Sequence, residues 1–462
     1  MLDELEISLQ QQFEEAIAAD DKLVIREFLN NQNISDVADL IYENPDYEYQ
    51  IISHLSIHRA AGVFKILDTV EQKRIIQNLP AFKSAELLNE LPADDRVSFL
   101  EELPNNIVRE LIKTLNPEER KITLELLGYP ENSVGRLMTP DYVYVSENNT
   151  VSEVLDIIRR FANSTETIDV IYVIDEQGRL KDDIRIKDFI MASPDTVVRD
   201  LMDNRFISLY VNDDQESANE IFKMNNRVAL PVTDKQDFLL GIVTIDDVLW
   251  VTNEEFGEDI QKIGGTEALN EPYLDIGIPS LVKKRAGWLV ILFLGEMFTA
   301  TAMQFFQHEI EAATVLALFI PLIMSSGGNS GSQASTLIIQ AMALGELSLK
   351  DWWRVMKREL ISGSILGVIL GSIGFLRIIA WQNLHIFSYG EHWQLVAFTI
   401  FFSLIGIVLW GSLVGSMLPL ILKRLKFDPA ASSAPFVATL VDVTGIVIYF
   451  SVAYLFLRGT LL

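Results

Sequence analysis

Five long apolar stretches in the C-terminal part of the chain restrict its fold more than any other feature. They run over about 286–306, 312–345, 359–381, 393–422 and 434–457, each of the length (roughly 20 residues) that a helix needs to cross a bilayer. The flanking charges alternate. Lys283, Lys284 and Arg285 precede the first stretch. Lys350, Arg354, Lys357 and Arg358 separate the second from the third, and Lys423, Arg424 and Lys426 separate the fourth from the fifth. The other two connections carry no Lys or Arg. Basic connections stay on the cytoplasmic side. Five spans therefore put the N-terminal part in the cytoplasm and the C-terminus outside. Trp288, Trp352, Trp353, Trp381 and Trp393 sit near the expected span ends, where amphipathic rings belong.

Two polar segments interrupt this apolar region. One is Gly327-Gly328-Asn329-Ser330-Gly331, shortly after Pro321; the other is Asp428-Pro-Ala leading to Asp442-Val-Thr-Gly445. The glycine segment is expected either to unwind the second span and bare its carbonyls beside a polar cavity, or to let two helices approach closely through small residues. Asp442 has no basic partner in its own span. A carboxylate at that depth is expensive and is a functional candidate by default. Glu296 and Glu311 are further acids on the membrane side.

Charge divides the chain. Residues 281–462 carry 12 Lys+Arg against 9 Asp+Glu, whereas residues 1–280 carry 25 against 55. An acidic cytoplasmic part argues against nucleic acid and for cations as partners. There are no cysteines, which excludes disulfides, thiolate metal sites and cysteine nucleophiles. The five histidines, at 54, 58, 308, 385 and 392, show no ligand pattern beyond a weak i,i+4 pair, and no nucleophile–base pair or Walker-type loop is present, so an enzyme is not expected. The opening MLDELEISLQQQFEEAI has no basic stretch ahead of an apolar run, so a cleaved signal peptide is not expected either.

Two repeats organise the acidic part. Leu79-Pro80, Leu91-Pro92 and Leu103-Pro104 recur every 12 residues, and Leu115 continues the series before Pro117. Proline suits the first turn of a helix, so each repeat reads as a short helix in a small solenoid. Leu87, Leu88, Phe99, Leu100, Leu111 and Ile112 would stack the neighbours. A longer repeat follows: Arg136-Leu-Met-Thr-Pro140 resembles Asp200-Leu-Met-Asp-Asn204, and each begins a strand–helix–strand–strand–helix unit. Two such units resemble a tandem CBS pair, whose usual ribose or helix-start acid falls on Asp188 in the first unit and Asp247 in the second. Downstream, Asp246, Asp247, Glu254, Glu255, Glu258 and Asp259 crowd together with no Lys or Arg among them. On a helix, Glu254/Glu258 and Glu255/Asp259 are like-charge i,i+4 pairs, each costing roughly 0.2–0.5 kcal/mol. A solvated acidic face explains such a run, and so does a hard divalent cation such as Mg²⁺ or Ca²⁺.

The order of these segments resembles the MgtE family of bacterial magnesium channels and transporters, most specifically in the Gly-Gly-Asn-Ser-Gly and Asp-Pro-Ala…Asp-Val-Thr-Gly motifs. The resemblance implies a multi-domain α and α/β protein. Its parts would be a helical solenoid (1–133), two CBS units (134–198 and 199–252), a connecting plug helix (253–279) and a five-helix membrane domain (280–462). It implies a homodimer in a bacterial inner membrane that takes up Mg²⁺ and closes when cytoplasmic Mg²⁺ is plentiful, with Co²⁺, Ni²⁺ and Mn²⁺ as other cations and ATP as a ligand of the CBS pair. The family's pore acid falls on Asp442 and its cytoplasmic-mouth acid on Asp428. Its regulatory Mg²⁺ sites fall on Asp247, Glu255, Glu258 and Asp259, with Glu216 and Asp95 as further matches. Gly328, Asn329, Gly331, Ala438, Thr439 and Gly445 would line the pore, and Asp188 would meet the nucleotide. The chain departs from relatives at Trp250, at Asn225-Asn226-Arg227, at Lys181-Asp182-Asp183 and at Ala434. A membrane-anchored CBS nucleotide sensor is the competing reading.

Overall fold

A computed structural model describes residues 2–19, 21–162, 164–269, 271–274 and 276–462, with side chains from residue 9 onward. The chain divides into two compact units, one ending at Thr252 and one running Asn253–Leu462.

The first unit begins with short helices. Ala81–Glu90, Ala93–Glu101, Asn105–Thr114 and Pro117–Leu126 are the four made by the 12-residue repeat. Pro80, Pro92 and Pro104 stand immediately before their helices, and Pro117 opens the fourth. Leu79 and Leu91 end the preceding helices in extended conformation, as the residue before a proline must to avoid its ring. That turn drives the leucine inward: Leu79, Leu91 and Leu115 are buried beside Leu87, Leu88, Phe99 and Leu100.

Two three-stranded sheets follow. In the first, β1 (Tyr144–Ser146) runs parallel to β2 (Val170–Ile174), and β2 runs antiparallel to β3 (Leu180–Arg185). In the second, β4 (Leu209–Tyr210), β5 (Ala229–Thr233) and β6 (Leu239–Thr244) repeat the pattern. The turns repeat too. Asp175 Oδ1 accepts hydrogen bonds from the amides of Gln177 and Arg179, and Asp234 Oδ1 from those of Gln236 and Phe238. The left-handed residue is Gly178 (φ +87°) in one and Asp237 (φ +64°) in the other, consistent with the tolerance of aspartate for that region. The copies interlock, since Thr139 ahead of the first sheet bridges to Ile242 of β6. β6 runs straight into a helix, Ile245–Ile263, so the second CBS unit's closing helix and the connecting helix are one element. The unit boundary falls within it.

In the second unit five helices are long and apolar enough to cross a membrane. They are referred to as spans one to five: Ile278–Phe305, Ile320–Ala343, Trp352–Asn383, Trp393–Arg424 and Ala434–Leu457. Spans two, four and five share a core that includes Ile323, Ile407, Val437 and Val441. The expected unwinding at Gly327–Gly331 does not occur, and span two is a continuous helix through the motif. Its glycines instead serve the alternative role. A methyl group at Gly411 of span four would collide with the Gly327 carbonyl oxygen, and one at Gly415 with that of Gly331. The two helices touch backbone to backbone, which only glycine permits. Ser330 Oγ lies 2.8 Å from Ser412 Oγ and donates to the Val408 carbonyl at 3.3 Å. Small residues with interhelical hydroxyl bonds are how helices associate where water gives no hydrophobic drive.

Candidate cation sites

In the first unit, one carboxylate oxygen from each of Asp94, Asp95 and Asp247 lies within 4.8 Å of the others. The first two come from the start of helix Ala93–Glu101, and Asp247 comes from the first turn of Ile245–Ile263. The repeat fixes one element and the end of β6 the other, so the trio forms only when solenoid and CBS pair fold together. Asp94 is buried and its Oδ1 has no hydrogen-bond partner. Lys65 Nζ reaches Asp95 Oδ2 at 3.2 Å and Asp246 Oδ2 at 4.0 Å. The Thr244 hydroxyl lies 2.5 Å from both Asp246 Oδ1 and Asp247 Oδ2 and can donate to one at a time. Burial, reinforced by the Asp247, Asp95 and Glu166 charges, holds the Asp94 carboxyl well above the usual carboxylate range. Burial chiefly pushes Asp247 up to about 7, against the Thr244 bond and with the help of Asp246 and Asp95. An orphaned buried oxygen among hard carboxylates suits a hard divalent cation. Asp94 was missed in the sequence, where an acid pair opening a helix reads as a response to the helix dipole.

Glu216 lies in the first turn of helix Gln215–Asn225, outside this trio. Asp188 is exposed in the first turn of Ile186–Met191. Two of the departures from relatives meet: Arg227 Nη1 lies 2.8 Å from Asp183 Oδ2. Asp182 is buried and accepts from the amides of Asp203 and Asn204. Asp182 and Asp183 thus make their contacts within the CBS pair.

In the second unit, Glu255, Glu258 and Asp259 lie on the later turns of Ile245–Ile263. The acidic run is not without a counter-charge, as its sequence implied. Lys262, one turn beyond Glu258, has Nζ 2.6 Å from Glu258 Oε1 and 2.6 Å from Asp428 Oδ2. The other oxygen of Asp428 accepts from the Ala430 amide at 2.8 Å, opening the 3₁₀ turn ahead of span five. Burial pushes Asp259 up to about 6, with Asp428, Glu255 and Glu258 adding to the rise and Lys262 opposing it. The chain after the helix is fastened nearby. The Lys284 ammonium donates to the Ala268 carbonyl, and Trp288 Nε1 donates to Ser433 Oγ at 3.1 Å.

Inside the spans, Asp442 stands beside span two. A methyl group at Gly328 would lie 3.3 Å from Ala438 Cβ and 3.8 Å from Asp442 Oδ1. Asn329 is exposed on the neighbouring face, with Nδ2 3.4 Å from Ser325 Oγ. The other motif residues face helices: Gly331 touches Val437 and span four, Thr439 lies against Gly295 of span one, and Gly445 faces Ile407. The structure thus brings Gly328, Ala438 and Asp442 together. No ion pair to Asp442 occurs among the described residues.

Residues 320–452 match the MgtE divalent cation transporter family, residues 32–132 the MgtE intracellular N domain, and residues 134–195 and 198–253 the CBS domain. A magnesium transporter MgtE of Thermus thermophilus is 41% identical over 345 residues, covering 75% of this chain and 74% of that protein. One from Bacillus subtilis is 27% identical over 92% of each chain. The crystal structure of the cytosolic domain of the Mg²⁺ channel MgtE in complex with ATP is 35% identical and covers 52% of this chain and 98% of that one, with a TM-score of 0.50. The soluble part of a magnesium transporter is 28% identical with a TM-score of 0.51, covering 54% of this chain and 99% of that one. The protein is thus a multi-pass membrane protein with cytoplasmic N-terminal domains. Matched in order from the intracellular domain to the last span, the chain belongs to the MgtE family of divalent cation transporters.

Proposed function

We propose that this protein carries Mg²⁺ across the membrane along a path that passes Asp442, and that its cytoplasmic acids sense Mg²⁺ and close that path. The observation that carries the reading is Asp442 itself, a span carboxylate set beside Gly328 and Ala438 with no basic partner among the described residues. An unpaired acid at that depth is retained where a cation or water faces it. Mg²⁺ dehydrates reluctantly, so a carboxylate can bind it through the water the ion keeps. In a homodimer, a two-fold axis would bring two copies of Asp442 to one pathway, with Asn329 on its exposed face.

Asp94, Asp95 and Asp247 would hold the regulatory Mg²⁺, supplying hard oxygens to an ion that relieves their repulsion. Glu255, Glu258, Asp259 and Asp428 would act at the cytoplasmic mouth. An ion that binds the shut arrangement better than the open one shifts the population toward it. ATP bound to the CBS pair would meet Asp188, and Co²⁺, Ni²⁺ and Mn²⁺ share enough chemistry with Mg²⁺ to compete.

Cation flux into proteoliposomes tests the reading. Mg²⁺ flux should fall to background in Asp442→Ala and should be suppressed by millimolar Mg²⁺ on the side of the N-terminal domains. Flux indifferent to Asp442→Ala would remove the pore assignment. Absence of flux in wild type, together with ATP binding, would favour a membrane-anchored nucleotide sensor.

A further inference from the structure

Asp428 is the acid that the proposed reading places at the cytoplasmic mouth, yet in this structure it offers no free oxygen. One oxygen holds the Ala430 amide at 2.8 Å, and the other holds Lys262 at 2.6 Å. The same ammonium lies 2.6 Å from Glu258, and the charges of Asp428, Glu255 and Glu258 all act on Asp259. One lysine thus does what a small cation would do, joining the end of the connecting helix to the segment that starts span five. The joint is reinforced beside it. Gly265 (φ +76°) turns the chain against Trp288 and Pro435, and Trp288 bonds Ser433 at the head of span five.

We propose that Lys262 is a built-in gating cation: it holds the connecting helix on Asp428 and so sets how much Mg²⁺ is needed to shut the pathway. This rests on the proposed function and deepens it. With the helix docked, Glu255, Glu258, Asp259 and Asp428 bring four negative charges together. Divalent ions can reduce their repulsion, and Lys262 supplies a permanent positive charge between Glu258 and Asp428. Removing that charge leaves the docked arrangement more dependent on Mg²⁺. By linkage, the concentration that half-closes the pathway must then rise. Lys262 is a positioning residue, acting on the ion path through Asp428.

The test uses the full-length protein in proteoliposomes. Lys262→Met should raise the half-closing Mg²⁺ concentration by roughly fivefold, the scale of a partly exposed ion pair, and Lys262→Arg should bring it back toward the wild-type value. A carbodiimide, which joins an amine and a carboxylate only in direct contact, should link Lys262 to Asp428 or Glu258 in the wild type, read by mass spectrometry of the digest. An unchanged half-closing concentration in Lys262→Met would overturn the proposal. So would a lowered one, because it would make Lys262 a competitor of Mg²⁺ rather than its ally. Failure to find the link would also overturn it, whatever the flux. Asp442→Ala keeps the two readings apart: if that variant still conducts, the pore assignment fails, while the link continues to report on the lysine joint.

Discussion

The two acid-rich places in this protein each gather carboxylates around one lysine and differ in how deeply those carboxylates are buried. In the first unit, Lys65 approaches Asp95 and Asp246, yet Asp94 remains buried with an unpartnered oxygen. At the end of the connecting helix, Lys262 sits 2.6 Å from each of two carboxylates, one of which is also tied to a backbone amide. The first group keeps one carboxylate buried with an oxygen that its lysine does not bond, while the lysine of the second joins two partly exposed carboxylates. A count of acids does not separate the two. What separates them is burial: Asp94 lies away from water, whereas Glu258 and Asp428 remain partly exposed, so water still screens them.

The most drastic way to break the comparison is to remove its membrane arm. Gly415→Val would drive a side chain into the Gly331 carbonyl. Neither helix backbone can yield, so the cost should exceed the usual overpacking range of about 1–3 kcal/mol. The expected outcome is loss of monodisperse protein on size exclusion in detergent.

A milder change separates the two acid groups. Mg²⁺ at about 100 times its Kd should stabilise the wild type by about 2.7 kcal/mol, read as a rise in Tm. Asp247→Asn should remove most of that rise, whereas Glu258→Gln should keep most of it. Equal losses in both variants would mean that the two groups do not differ as their geometry implies.

The pH dependence sharpens the same contrast. Asp94 and Asp247 are both pushed upward, Asp247 to about 7. Without divalent ions the folded state holds protons that the unfolded state has released, so stability should fall as pH rises from about 4 through 7. Mg²⁺ needs the ionised carboxylates, so its stabilisation should grow over the same interval. A Tm in EDTA that climbs between pH 5 and 8 would contradict the assignment.

The smallest effect is expected at Lys65. Lys65→Met should lower the stability in EDTA by about 1 kcal/mol for a half-buried pair, read as a fall in Tm, and should tighten Mg²⁺ binding at the trio by removing a nearby positive charge. Isothermal titration reads the second part directly.

Much of the fold was legible because its signals are local. The Leu-Pro repeat sets short helices through the conformational limit that each proline puts on the residue before it. The five spans follow from length and hydropathy, and the two CBS units from a repeated strand and turn pattern. The acidic connecting run was legible as a helix; its counter-charge lay only one turn further, at Lys262, an i,i+4 position from Glu258. Asp95 and Asp247 were legible as candidates, while Asp94 was not, because burial is not written in an acid pair at a helix start. The meeting of Arg227 with Asp183 was equally hidden. Both residues stood out as departures from relatives, but nothing local pairs them.

The sequence by itself determined which segments are helices and strands, which helices can enter a membrane, and where acids concentrate, since propensity, hydropathy and proline sterics act within a few residues. Tertiary structure alone decided what those segments do to one another. The glycines of span two could have broken their helix, and they keep it whole because Gly411 and Gly415 of span four offer a backbone to lie against. Asp428 could have stood open to a passing ion, and it is held because Lys262, 166 residues earlier in the chain, reaches it. Contacts of that range depend on which surfaces fold together, and no window of sequence contains both sides.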